Sequence, residues 1–154
     1  MEPGERYWSL LKPQWGKIDI YGSPAEFLES FIRVPRPIGN LFAAHWCQSE
    51  IQNGGLDQFF TNPTGVLSPE AVVALRQLDL DDLAAVVAEG MLVFGASYPR
   101  EQHIRISCLD QRRGASLPRW DPFVDLDERF FVALRADPHR FERAADAYAL
   151  NNGG

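Results

Sequence analysis

An all-α fold is what this sequence predicts, and three observations predict it. Its 12 glycines and 11 prolines cut the 154 residues into segments, most of which repeat their apolar residues every three or four positions rather than every two. Several segments open on helix-cap chemistry, Ser23-Pro24-Ala25-Glu26 most clearly. Composition is globular, with 45% apolar and 23% charged residues. At this length one domain burying about two thirds of its unfolded surface is expected. The expected architecture is a single compact domain of about six to eight short helices with an irregular N-terminal arm.

Residues 1–22 read as that arm, packed on the domain. Tyr7, Trp8, Leu10, Leu11 and Trp15 supply apolar mass, Pro13 and Gly16 interrupt it, and Lys17 to Tyr21 alternates like a short strand. The helical domain spans 23–150. Ser23 and Glu26 form a capping box, with Pro24 at the first helical position, so a helix runs to about Arg33. Pro35 and Pro37 stop it, and Ile38 to about Gln52 is the next, with Leu41, Phe42, His45, Trp46 and Ile51 weighting one side. Asn53-Gly54-Gly55 ends that helix in residues tolerant of a left-handed cap, and Leu56 to Thr61 restarts a short one. Ser68-Pro69-Glu70 is a second cap, opening a helix through about Leu78.

Leu80 to Phe94 is the clearest amphipathic segment, its stripe being Leu80, Leu83, Ala84, Val87, Met91 and Phe94. Asp79, Asp81 and Asp82 crowd its first turn, where the helix dipole favours acids. Phe123 to Leu134 and Pro138 to about Leu150 are the last two helices, and 151–154 is a frayed C-terminus. The apolar run around Leu83 to Ala96 is far short of the roughly 20 residues that span a bilayer. The N-terminus also lacks a basic start followed by an apolar run. Two cysteines, Cys47 and Cys108, form no disulfide framework. A cytoplasmic protein with no membrane partner is expected.

Charge is distributed in blocks. The net charge is -6, which disfavours a direct grip on nucleic acid. Residues 67–98 hold five acids against Arg76 alone, and residues 121–154 hold seven acids against four arginines. Between them, residues 99–120 hold two acids and the five arginines Arg100, Arg105, Arg112, Arg113 and Arg119. Two acidic patches flanking a basic segment are the expected surface.

Catalytic signatures are few. The chain has no phosphate-binding glycine loop, no nucleophile elbow, no HExxH and no EF-hand loop. His45 and Cys47 are two apart, about 200° around a helix, so they cannot share a metal. His103 and His139 stand alone at polar helix starts, and Cys108 lacks an orienting partner for catalysis. Neither catalytic residues nor a metal nor a cofactor is expected.

The densest stretch is Glu50 to Gly65. It reads as a helix end, a Gly-Gly turn and a short aromatic helix, with Gln52, Asn53, Gln58 and Asn62 supplying amides for a tight corner. Trp46, Glu50, Asn53, Gly54, Gly55, Gln58, Phe59, Phe60, Asn62 and Gly65 make up a pattern that resembles the signature of the bacterial DNA-mimic-protein-like family. Leu56 departs from it by replacing an aromatic residue, and Ala74-Leu75 adds to the match. The resemblance covers roughly residues 38–148 and implies an all-α domain. In the namesake member it implies an acidic surface that imitates the phosphates of duplex DNA.

Two functions are weighed. The first is a non-enzymatic acidic binding protein that inhibits or regulates a protein partner by occupying its functional surface, as an immunity or antitoxin-type inhibitor of a toxin or effector, or as a DNA mimic of a DNA-binding protein. Its contact residues are Glu70, Asp79, Asp81, Asp82, Asp125, Asp127 and Glu128. A homodimer is left open. The alternative is an enzyme or small-molecule binder with a site at the Glu50/Asn53/Gln58 corner.

Overall fold

In the computed structural model, which describes residues 1–115 and 120–153, eight α-helices and three 3-10 turns follow one another. They are α1 (Glu5–Leu11), a 3-10 turn (Lys12–Lys17), α2 (Pro24–Arg33), α3 (Arg36–Thr61), a 3-10 turn (Pro63–Leu67), α4 (Ser68–Gln77), α5 (Asp81–Met91), a 3-10 turn (Leu92–Phe94), α6 (Gln102–Ala115), α7 (Val124–Arg135) and α8 (Arg140–Asn152). The described residues contain no strand. The expected all-α architecture is the observed one.

α3 is the axis, touching α1, α2, α4, α6, α7 and α8. It can do so because it is apolar around most of its girth. Leu41, Phe42, Cys47, Ile51, Leu56, Phe59 and Phe60 are all buried, and each large side chain removed from water stabilises the fold by about 1.5–3 kcal/mol. The outer layer closes by α4 against α5, α5 against α7 and α1 against α8. None of the described helices is long and apolar enough to cross a membrane.

The capping box forms as its residues require: Glu26 N donates to Ser23 Oγ (3.1 Å) and Ser23 N donates to Glu26 Oε1 (3.2 Å). The second cap does not. Ser68 is the first residue of α4 and makes no capping bond, because the 3-10 turn before it runs straight on and the Ser68 amide already donates to Gly65 O. The strand-like alternation of Lys17 to Tyr21 also proves not to be a strand. Ile18 and Ile20 are buried, while Asp19 N donates to Ser30 Oγ (2.9 Å) and its carboxylate takes the amides of Tyr21 and Gly22. With no second extended segment to pair with, side chains satisfy that backbone instead.

Within the N-terminal segment a helix, α1, is present that Pro13 and Gly16 obscure in the sequence. Its start has no cap of its own. Asp146 on α8 supplies one, accepting from Gly4 N (2.7 Å) and Tyr7 N (2.9 Å). α6 is a full helix where the sequence signals only a start near His103, because its buried stripe contains little more than Arg105 and Leu109.

Candidate functional site

The acidic residues singled out by sequence divide into two kinds. Glu70, on α4, is mostly buried and forms a fork with Arg100, at 2.8 and 2.9 Å. Asp127, on α7, points at the glycine corner. The others gather on α5, the turn before it, and the outer side of α7, two helices that pack side by side. Arg129 of α7 pairs with Glu89 of α5 across the seam. Between them runs a groove of about 390 Å³, floored by Ala85, Val86, Val132 and Ala133 and edged by Asp82, Glu128 and Arg129.

Charges on this face are partly matched. Arg140 of α8 grips Asp82 at 2.6 and 2.7 Å, and that hydrogen bond holds the Asp82 carboxyl below its ordinary range. Glu128 pairs with Arg135 at 3.2 Å, both exposed. Asp79, Asp81 and Asp125 are exposed and make no salt bridge to a described residue. Asp79 has φ 60 and ends α4, a left-handed position that Asp tolerates better than most side chains.

The basic segment is largely consumed by the fold. Arg100 holds Glu70, Arg113 pairs with Asp57, and Arg112 lies 5.6 Å from the Trp120 ring centre. Arg119 lies outside the described residues. Arg105 is fully buried. It donates from Nε to Phe60 O (2.7 Å), from Nη2 to Asn62 O (3.1 Å) and from Nη1 to Pro99 O (3.2 Å) and Arg100 O (2.5 Å). The last turn of α3 leaves carbonyls without intrahelical donors, and this guanidinium fills that need. Tyr98 lies beneath it, 5.8 Å from ring centre to Cζ. Sequence counted Arg105 as surface charge. Its one signal was register, four residues before Leu109 on the same helical face.

The glycine corner is built as a bracket. α3 breaks at Gly54 (φ -150) and Gly55 (φ 76). A Cβ at Gly54 would lie 2.0 Å from Gln58 Oε1, and one at Gly55 would lie 2.6 Å from Asp127 Oδ2. The backbone freed by the break is met from outside: Leu56 N donates to Asp127 Oδ1 (2.8 Å). Burial nevertheless pushes the Asp127 carboxyl up. Beside it, buried Glu50 accepts at one oxygen from Gln58 Nε2 (2.6 Å) and Asn62 Nδ2 (3.0 Å), and Asn53 Nδ2 donates to Gln58 Oε1 (3.0 Å). A Cβ at Gly65 would meet Arg105 Nε at 2.8 Å. Phe59 and Phe60 are fully buried, and Phe60 packs on Phe94, Tyr98 and Phe123.

His45 packs against Tyr7 and Trp8 of α1, and Trp46 against Trp15 of the 3-10 turn after it, while Cys47 lies on the opposite side of α3 from His45. Tyr7 Oη lies 3.1 Å from His45 Nδ1, and Trp8 stacks on the same imidazole at 5.4 Å. Burial holds His45 below its ordinary range and, with Glu142 and Asp146 nearby, pushes the Tyr7 phenol up to about 12. Tyr7 therefore donates and neutral His45 accepts. Cys47 is buried and its thiol is pushed up by burial; Cys108 is half-buried. Among the described residues no three His, Cys, Asp or Glu side chains are grouped as a metal would need.

Every residue of the corner is thus bonded into the fold, and the acids in excess lie elsewhere. Comparison with known proteins finds no match among curated proteins or solved structures. A family model does match, that of the DMP19-like proteins, over residues 33–152. The chain belongs to the DMP19-like protein family.

Proposed function

We propose that this chain is a non-enzymatic binding protein whose α5/α7 face occupies the cationic surface of a DNA-binding protein in place of DNA. The observation that carries the reading is the packing of α5 on α7, which brings Asp82, Glu89 and Glu128 of two sequence-distant acidic segments to one seam, while Asp79, Asp81 and Asp125, at the starts of these two helices, are exposed and make no salt bridge to a described residue. Helices in contact lie about 8–10 Å apart. Carboxylates carried on two such helices are separated on the scale of the phosphates that flank a DNA groove, about 6–12 Å wide. Consumption of Arg100, Arg105 and Arg113 inside the fold also favours it, since the basic segment then does little to cancel the face.

The glycine corner supports the non-enzymatic part. Its two carboxylates are held by the fold, Glu50 by the amides of Gln58 and Asn62 and Asp127 by the Leu56 amide, and the Cys47 thiol near Glu50 is buried and pushed up, away from the thiolate a nucleophile needs. A partner read through charge associates fast and weakens with salt.

The test is affinity capture from a lysate of the source cell, beside the variant D79N/D81N/D125N, followed by mobility shift of the captured protein on DNA. The expected result is a DNA-binding protein retained by the wild type, lost by the variant, and released from DNA by added wild-type chain. No retained protein, equal retention by the variant, or a retained toxin that does not bind DNA would overturn the reading.

A further inference from the structure

A second surface has the opposite character. On one side of α4 a groove of about 450 Å³ opens between α2, the start of α3 and α4, lined by Phe31, Ile32, Val34 and Val73 with Arg36 at its edge. On the other side a groove of about 300 Å³ opens between α4 and the Met91 to Tyr98 stretch, bearing Met91, Leu92 and Tyr98 with Arg76 at its edge. Pro69 and Val73 line both, so the two form one apolar surface with α4 as a low ridge. Ile32 is 76% exposed, Leu92 69% and Val73 52%. Scattered apolar residues on a surface are ordinary, but contiguous ones mark interaction sites.

The charges around this surface give its complement. Glu70, the acid in the larger groove, is already neutralised by the fork with Arg100. Arg36 and Arg76 are exposed and make no salt bridge to a described residue, whereas Arg33, Arg100, Arg113, Arg129, Arg135, Arg140 and Arg143 each hold a carboxylate. Arg36 is also the first residue of α3, with no acid in that first turn. A cation there works against the helix dipole by about 0.3–1 kcal/mol. No salt bridge among the described residues offsets that placement.

We infer that this surface docks an amphipathic helix of a protein partner whose apolar stripe is flanked by acidic residues. The apolar side chains at spacings of three and four enter the two grooves on either side of the α4 ridge, the helix-in-groove mode. The flanking carboxylates meet Arg36 and Arg76. The surface is separate from the acidic face, with α5 between them, Ala88 and Met91 towards α4 and Ala85 and Val86 towards α7. The two faces therefore select partners of opposite sign.

The test uses two synthetic helical peptides with the same Leu/Ile stripe, one flanked by Glu and one by Lys, titrated into the isotope-labelled full chain and followed by amide shifts. The chain carries net -6, so overall charge favours the Lys peptide everywhere, and docking of the Glu peptide must come from the local surface. The expected result is shifts from the Glu peptide confined to α2, the first turn of α3, α4 and residues 92–98. R36E/R76E, which breaks no ion pair among the described residues, is expected to weaken it about tenfold, as two partly exposed charge pairs would. V73D abolishes it with the helical spectrum intact. No shifts from the Glu peptide, shifts elsewhere, or affinity indifferent to R36E/R76E overturns the inference. So does a concentration-dependent dimer that V73D dissociates and the Glu peptide does not displace, which would make a second copy the occupant.

Discussion

Asp125 and Asp127 lie two residues apart on α7 and have opposite fates. Two residues turn a helix by about 200°, so Asp127 faces inward and caps the broken α3 at Leu56 N, while Asp125 faces solvent and holds no cation among the described residues. The same contrast separates the glycine corner from the α5/α7 face. In the corner each charged group has a partner that the backbone path requires: Asp127 a bare helix start, Arg105 a bare helix end, Glu50 two amides. On the face, acids outnumber the cations that meet them. Residue identity in the first region is set by folding, and in the second it is free to be set by a partner.

The comparison breaks first at Arg105 if it is wrong. Changing Arg105→Met leaves the carbonyls of Phe60, Pro99 and Arg100 without this donor, while Asn62 O keeps the Gly65 amide at 3.1 Å. Each orphaned acceptor costs about 1–3 kcal/mol, so a loss of roughly 3 kcal/mol or more is expected, a large share of a total near 5–15 kcal/mol. Urea midpoints measure it, and Arg105→Lys, one nitrogen against several carbonyls, is expected between the two. A loss under about 1 kcal/mol would make the buried guanidinium dispensable and the corner unlike what its geometry describes.

Gly55→Ala comes next. Its φ of 76 and the Asp127 oxygen 2.6 Å from the added Cβ should together cost about 2–3 kcal/mol. Combining it with Asp127→Gly removes the clash while keeping the backbone strain, so the double variant is expected to lose less than the sum of the singles. Additivity would mean the two residues do not share the corner. Glu50→Ala follows at about 1–3 kcal/mol, because Gln58 and Asn62 lose their acceptor.

His45 offers a milder, pH-dependent check on the packing of α1. Burial lowers its folded pKa, so the unfolded chain binds more protons just below the ordinary value of about 6.5. Stability therefore falls as pH drops through that value and levels off below the folded pKa. Urea midpoints at pH 7.5 and pH 5.5 should differ for the wild type by more than for His45→Gln. Equal slopes would show that protonation of this imidazole meets no resistance.

Much of this architecture was legible from periodicity and caps: the Ser23 box, the break at Gly54-Gly55 and the stripe from Leu80 to Phe94 all follow from local rules. What was hidden depends on partners distant in sequence. α1 is capped by a carboxylate 142 residues away, and α6 buries an arginine where an apolar residue would announce a core. Among the seven acids named from sequence, inward and outward fates could not be told apart. That choice is made by which face of α7 meets α3, and by whether an arginine from α8 or α6's approach reaches the carboxylate first.

The smallest effect on stability carries the most about function. Asp79, Asp81 and Asp125 make no salt bridge to a described residue, so D79N/D81N/D125N should cost no more than about 1 kcal/mol in equivalent stability by urea midpoint, the helix-dipole contribution of Asp81 and Asp125 in the first turns of α5 and α7. Asn keeps the shape of each side chain and the left-handed tolerance that Asp79 needs. Three like charges leave the face, which even relieves some repulsion. A partner that reads the face through its cations would nonetheless lose contacts at all three positions, and its remaining affinity would depend less steeply on salt. Large destabilisation would mean these acids belong to the fold like Asp127. Unchanged stability with unchanged salt dependence of partner binding would mean that the excess charge on α5 and α7 only keeps the protein in solution.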